Sequence, residues 1–106
     1  DIGGSSGTLI LELLSAYPHL TGIILDLPSV TALVQIPPSF KERLKLIPTD
    51  FFGTWPAFSA DCAVLSRVLH DWSDEHCVDI LTKTCHILSD SSSRLYIIEN
   101  ICGGSL

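Results

Sequence analysis

His70, Asp71 and Trp72 stand in a row just after an apolar run at residues 61–66, and Glu99 closes the next apolar run, 94–100. A histidine titrates near neutrality, so it can take a proton from a hydroxyl, an effect typically worth about 10²–10⁴-fold in rate. A carboxylate on the far ring nitrogen would fix the tautomer and stabilise the imidazolium that forms. If both runs are strands of one parallel sheet, their carboxyl ends are neighbours and His70 can meet Glu99. The bland alternative for His70 is a histidine that caps a helix or packs against one.

A second constellation opens the chain. Asp1-Ile2-Gly3-Gly4-Ser5-Ser6-Gly7 leads straight into an apolar periodic segment. Small residues let a backbone pass close to a ligand, and a helix start offers unpaired N–H groups. Such a turn also occurs for packing reasons alone. Asp26 follows roughly 20 residues after the glycines, the separation at which an acid binds the hydroxyls of a ribose. This pattern suits an adenosine ligand without choosing among cofactors. Asp26 could otherwise cap a helix beginning near Ser29.

The elements that must position these groups follow from periodicity. Leu9, Ile10, Leu13 and Leu14 have helical spacing over Thr8–Ala16, and Pro18 ends that helix. Residues 22–27 are a short apolar run closed by Asp26 and Pro28, the pattern of a buried parallel strand. A short helix is expected over 29–35, halted by Pro37 and Pro38, then a weak strand over 45–48 leading to Asp50 and Phe51. Residues 61–66 form another buried strand. Ser73 caps a helix with Asp74 and Glu75 in its first turn, carrying Val78, Ile80, Leu81, Cys85 and Leu88 to about Ser89. Residues 90–93 are a loop and 94–100 a strand. Strands alternating with helices, with Asp26, Asp50, His70 and Glu99 at strand ends, define a doubly wound α/β sheet.

Composition excludes several classes. The 106 residues carry a formal charge of −6, against any broad electrostatic footprint for nucleic acid or an anionic membrane. No apolar run reaches the roughly 20 residues that span a bilayer, and no signal peptide opens the chain. Cys62, Cys77, Cys85 and Cys102 form no CxxC pair and are expected as free, buried thiols in a reducing cytoplasm. His70, His76, Cys77, Cys85 and His86 lack the spacing of a structural zinc site, so no metal is expected. The glycine turn begins with no strand body before it, so the chain reads as a fragment.

Four motifs in order resemble one family: residues 1–7, Leu25-Asp26-Leu27-Pro28-Ser29-Val30, Asp50-Phe51-Phe52, and Leu69-His70-Asp71-Trp72-Ser73-Asp74-Glu75. The chain is similar to the small-molecule O-methyltransferases, which include plant caffeate and flavonoid enzymes, acetylserotonin methyltransferase and bacterial polyketide-tailoring enzymes. The resemblance implies a Rossmann-like methyltransferase sheet, incomplete here, and S-adenosyl-L-methionine as cofactor. It implies that Gly3, Gly4 and Gly7 form the cofactor turn, with Asp1 near the cofactor's ammonium group. Asp26 and Leu27 would hold the ribose, and Asp50 and Phe51 would flank the adenine. His70 matches the catalytic base, Glu99 the acid that orients it, and Asp71 a neighbour on the substrate side, while Trp72 is a packing anchor. The acceptor would be a small, phenolic hydroxyl compound.

Two departures stand out. Ser5 occupies the place of a third consecutive glycine, and Ser66 that of a lysine frequent in the plant enzymes. The resemblance further implies that residues 1–106 are a partial cofactor-binding catalytic domain. The amino-terminal dimerisation domain, the final strands and a later polar residue beside the histidine lie outside them, and the full-length enzyme would be a cytoplasmic homodimer. Two rival readings accompany this one: an inactive truncated or pseudoenzyme fragment of the same family, and an NAD-dependent oxidoreductase. The second fits the glycine turn and Asp26 but leaves the His-Asp-Trp run and Asp50-Phe51 without a role.

Overall fold

The helix expected at Thr8–Ala16 forms over those residues (α1) because Ile10 and Leu14, one turn apart, both have a buried environment to enter. In the computed structural model, the residues described are 1–99; the readings at Asn100 and Cys102 lie outside them. The chain divides into two compact units, Asp1–Ala57 and Phe58–Leu106.

The first unit is a strand–helix–strand arrangement. Strand β1 (Gly22–Asp26) pairs in parallel with β2 (Leu44–Pro48), with Asp26 opposite Pro48. Ile10, Leu14, Ile24 and Leu44 form its core, flanked by Leu11, Val34, Ile36, Phe40 and Leu46. The chain start runs parallel to β1: Leu25 N donates to Asp1 O at 3.1 Å and Gly3 N to Leu25 O at 2.7 Å. Arg43 ties down the end of α1 and the turn after it, donating to Leu14 O, Tyr17 O and Leu20 O at 2.8, 2.9 and 3.0 Å.

The helix expected over 29–35 shortens to one turn, α2 (Pro28–Thr31). Pro28 starts it one residue earlier, since a proline at the first position has no N–H to waste. Beyond Thr31 the bonds tighten to three-residue spacing, Leu33 N to Val30 O and Val34 N to Thr31 O. A 3₁₀ turn at Pro38–Phe40 follows where only a stop was expected.

The second unit repeats the arrangement. Strand β3 (Cys62–Ser66) pairs in parallel with β4 (Arg94–Ile98), Ser66 lying opposite Ile98. Between them come a 3₁₀ turn, Leu69–Asp71, and helix α3 (Asp74–Ile87). Ser73 caps α3 as expected, its Oγ accepting from His76 N at 3.4 Å. The buried face of α3 is Ile80, Thr84 and Ile87, spaced four and three residues apart. Val78 and Cys85, expected among the apolar positions, fall off that stripe and are exposed. Thr84 enters it because its hydroxyl bonds back to Ile80 O at 2.7 Å.

Among the described residues the three thiols are free, but their expected burial is corrected: Cys62 and Cys85 are exposed and Cys77 is partly so. Cys62 opens β3 at its exposed end, and Cys85 lies on the solvent side of α3. Trp72 packs as expected, at the surface. It is 39% exposed and meets the His76 ring edge-on at 5.7 Å. Among the described residues, no helix is long and apolar enough to cross a membrane.

Candidate active site

In the first unit the glycine turn and Asp26 are tied together by backbone hydrogen bonds. Ser5 N donates to Asp26 Oδ2 at 3.0 Å, and Leu27 N donates to Asp26 Oδ1 at 2.8 Å. Asp26 is buried at 8% exposure, yet α2 takes Leu27 as its N-cap and draws no side-chain cap from Asp26. The helix-cap alternative is therefore not what this carboxylate does. An ionised carboxylate offers about four lone-pair sites, so two backbone donors leave acceptor capacity for a pair of ribose hydroxyls.

The glycines are required by geometry. Gly3 and Gly7 have φ of 73° and 85°, where side chains are strained. A Cβ at Gly4 would lie 2.9 Å from both Asp1 Oδ2 and Ile24 Cγ2; the missing side chain is what lets the Asp1 carboxylate lie against the turn. The donor and acceptor set thus fits the cofactor that the sequence implies: Asp1 for a ligand ammonium, Asp26 for a ribose, and a backbone that a ligand can approach.

Ser5 shows what its departure from glycine costs. Gly7 N bonds to Gly4 O at 2.9 Å, and Ser5, second in that turn, has φ of 53°. A positive φ there without one at the next residue is the pattern of a type II′ turn, which favours glycine. Replacing Ser5 by glycine is expected to raise stability by about 0.5–1 kcal/mol, the relief of a left-handed residue less the added unfolded-state freedom. A urea midpoint that falls instead would show the serine side chain supporting the turn.

Asp50 and Phe51 lie in the loop after β2. Asp50 Oδ1 accepts from Phe52 N at 2.9 Å, closing its own turn, and Trp55 Nε1 donates to Phe51 O at 3.0 Å. Phe51 meets Phe52 edge-on at 6.4 Å between centroids. Asp50 is exposed, Phe51 partly buried, and Leu27 43% exposed beside Asp26.

In the second unit the expected pair forms. His70 Nδ1 lies 2.7 Å from Glu99 Oε2, the two residues following the paired ends of β3 and β4. Arg67 makes the exit from β3, with φ of 57° and its N–H on Ile98 O at 2.7 Å. No glycine in the sequence signals that left-handed residue. The other ring nitrogen, Nε2, lies 3.1 Å from Asp71 Oδ1, a contact that sequence reasoning missed.

With a carboxylate on each nitrogen, both contacts are satisfied as hydrogen bonds only in the imidazolium. The hydrogen bond to Glu99 is the main cause that raises the His70 pKa above its ordinary value, with the Asp71 and Glu99 charges adding to it against partial desolvation and Arg67. The ring is half exposed, so water screens these pairs. Glu99 is mostly buried, and its Oε1 is buried with no hydrogen bond from a described residue.

Comparison with known proteins identifies the family and the fold. The O-methyltransferase domain family model matches residues 1–105. The chain is 36% identical over 104 residues to the O-methyltransferase SfmM3 of Streptomyces lavendulae, covering 95% of this chain and 30% of that protein. CalO1, a methyltransferase in calicheamicin biosynthesis solved in its SAH-bound form, superposes with a TM-score of 0.86 at 34% identity, covering 98% of this chain and 31% of that one. NcsB1, an O-methyltransferase from neocarzinostatin biosynthesis in complex with S-adenosyl-L-homocysteine and 1,4-dihydroxy-2-naphthoic acid, superposes with a TM-score of 0.86 at 33% identity, covering 97% and 32%.

The chain belongs to the O-methyltransferase domain family and has its Rossmann-like fold, with an incomplete sheet. It spans about 30% of the length of SfmM3. Family membership decides between the two enzyme readings of the glycine turn and Asp26, against the NAD-dependent oxidoreductase.

Proposed function

We propose that the complete enzyme carrying this chain methylates a hydroxyl of a small, phenolic molecule, using S-adenosyl-L-methionine and His70 as general base. The observation that carries this reading is the 2.7 Å hydrogen bond between His70 Nδ1 and Glu99 Oε2. The bound cofactor supplies an electrophilic methyl group on a sulfonium, which leaves as a neutral thioether. Asp1, Gly3, Gly4, Gly7, Asp26 and Leu27 hold its methionine and ribose parts, and Asp50 and Phe51 its adenine.

His70 works with Nδ1–H donated to Glu99 and Nε2 free to accept. As the acceptor oxygen gains the methyl group, its proton passes to Nε2, and Glu99 stabilises the resulting imidazolium. A phenol suits this base, since its pKa near about 10 for a tyrosine-like hydroxyl leaves a modest gap for histidine to close. Asp71 must first release Nε2, and its 65% exposure gives the side chain room to swing into solvent. NcsB1, with a dihydroxynaphthoic acid bound, supports an aromatic acceptor.

In this reading the complete enzyme is a cytoplasmic homodimer whose dimerisation domain lies outside 1–106. Residues 1–106 are its partial catalytic domain and by themselves turn over little or nothing, because the sheet is incomplete and the acceptor pocket takes its walls from the rest of the enzyme.

The test is transfer of labelled methyl from S-adenosyl-L-methionine to a panel of phenols, with S-adenosyl-L-homocysteine binding measured by calorimetry. Transfer by the complete enzyme and little or none by the isolated 106 residues is the expected result. Failure of the complete enzyme to bind S-adenosyl-L-homocysteine or to methylate any phenol would overturn the reading, and turnover by the isolated chain at a comparable rate would overturn its last part.

A further inference from the structure

We infer that Cys77 is a positioning residue for the base, its thiol tying the first turn of α3 to the backbone that carries His70. The inference rests on the reading of His70 as base. His70 sits in the 3₁₀ turn Leu69–Asp71, which has no side-chain cap. Its backbone bonds are long, Asp71 N to Val68 O and Trp72 N to Leu69 O both at 3.2 Å. Such a turn has poorer hydrogen-bond geometry than an α-helix and is a loose mount for a group that must be held within a fraction of an ångström.

Cys77 supplies the missing restraint. Its Sγ donates to Leu69 O at 3.2 Å and lies 3.7 Å from Trp72 O. Those two carbonyls bracket His70 and Asp71 in the chain. The thiol has one hydrogen, so Leu69 O takes the bond and Trp72 O shares it weakly. Cys77 itself is fixed, since its N–H donates to Ser73 O at 2.9 Å in the capped start of α3. His70 is thereby held from two sides: its ring by Glu99 beyond β4, and its backbone by Cys77 on α3. A shift of the Leu69 carbonyl carries the imidazole with it and lengthens the 2.7 Å bond to Glu99.

The test compares Cys77→Ala and Cys77→Ser in the complete enzyme. Alanine removes the donor, while serine keeps a hydroxyl donor on the same Cβ. For Cys77→Ala, kcat is expected to fall about tenfold, within the loss that a small misplacement of a catalytic group can cause. KM for S-adenosyl-L-methionine should stay unchanged, and the acid limb of the pH profile should move to lower pH as the Glu99 bond slackens. Cys77→Ser should restore most of kcat and the original profile.

A purely structural role would lower the melting temperature and leave the pH profile of the folded fraction where it was. That outcome, or wild-type kcat in Cys77→Ala, overturns the inference. If Cys77→Ala does not fold, the infrared S–H band in the wild-type minus Cys77→Ser difference spectrum decides: a band lowered by hydrogen bonding supports the tie, and one at the free-thiol frequency refutes it. Absence of methyl transfer by the wild type would instead sink the proposed function and leave the thiol band readable.

Discussion

Replacing His70 by alanine in the complete enzyme is expected to lower kcat/KM for a phenolic acceptor by about 10²–10⁴-fold, the ordinary worth of a positioned general base. Binding of S-adenosyl-L-homocysteine should be nearly unchanged, because the proposed cofactor contacts come from other residues. Glu99→Gln separates orientation from basicity. The hydrogen bond from Glu99 is the first cause that raises the His70 pKa, so the glutamine variant brings that pKa back toward the ordinary value near about 6.5.

The sign follows from which form works. Catalysis needs the neutral ring, so activity rises with pH through the His70 pKa, and a raised value displaces the acid limb upward. Glu99→Gln should move that limb to lower pH while its plateau falls, because the amide no longer stabilises the imidazolium. Stability runs the other way. A histidine whose pKa is raised by folding favours the folded state below its unfolded pKa, and this contribution is lost as pH rises through the raised value. Labelled-methyl assays across pH check both variants: a His70→Ala enzyme with wild-type kcat/KM, or a Glu99→Gln enzyme with an unmoved acid limb, would remove this pair from the chemistry.

Asp26→Ala is the second large effect. The carboxylate accepts Ser5 N and Leu27 N and, in the proposed function, the ribose hydroxyls as well. Affinity for S-adenosyl-L-homocysteine is expected to drop about 100-fold, or ~2.7 kcal/mol, reasonable for losing hydrogen bonds to a charged group. Stability should drop by about 1–3 kcal/mol as two backbone donors lose their acceptor. Asp26→Asn keeps one acceptor oxygen but faces one backbone N–H with an amide donor, so it should fall between. Calorimetric titration beside urea unfolding separates the two roles. A stability loss with unchanged affinity would make Asp26 a tie for the glycine turn and nothing more.

Both predictions use residues that the linear chain marks clearly. The boundaries of α1, the Ser73 cap and the polar residues at strand ends were legible because periodicity, capping and strand length are local properties. His70 and Glu99 could be paired in advance because parallel strands bring their carboxyl ends side by side. The one-turn α2 was less legible, since nothing in residues 29–35 marks where four-residue hydrogen bonds give way to three-residue ones. The buried face of α3 was misjudged because Val78 and Cys85 are apolar by type but lie off its stripe.

The sequence alone determined the family, the alternation of strands and helices and the identity of the chemical groups, because these depend on residue type and order. Tertiary structure decided what each group touches. Asp26 meets Ser5 across 21 positions and His70 meets Glu99 across 29, distances over which only the pairing of strands sets the contact. The left-handed Ser5, the Asp71 carboxylate on His70 Nε2 and the Cys77 thiol on Leu69 O arise over far shorter separations, yet they too were settled only in the folded chain. Each depends on backbone direction and rotamer after the chain has packed, and no spacing along the sequence encodes those.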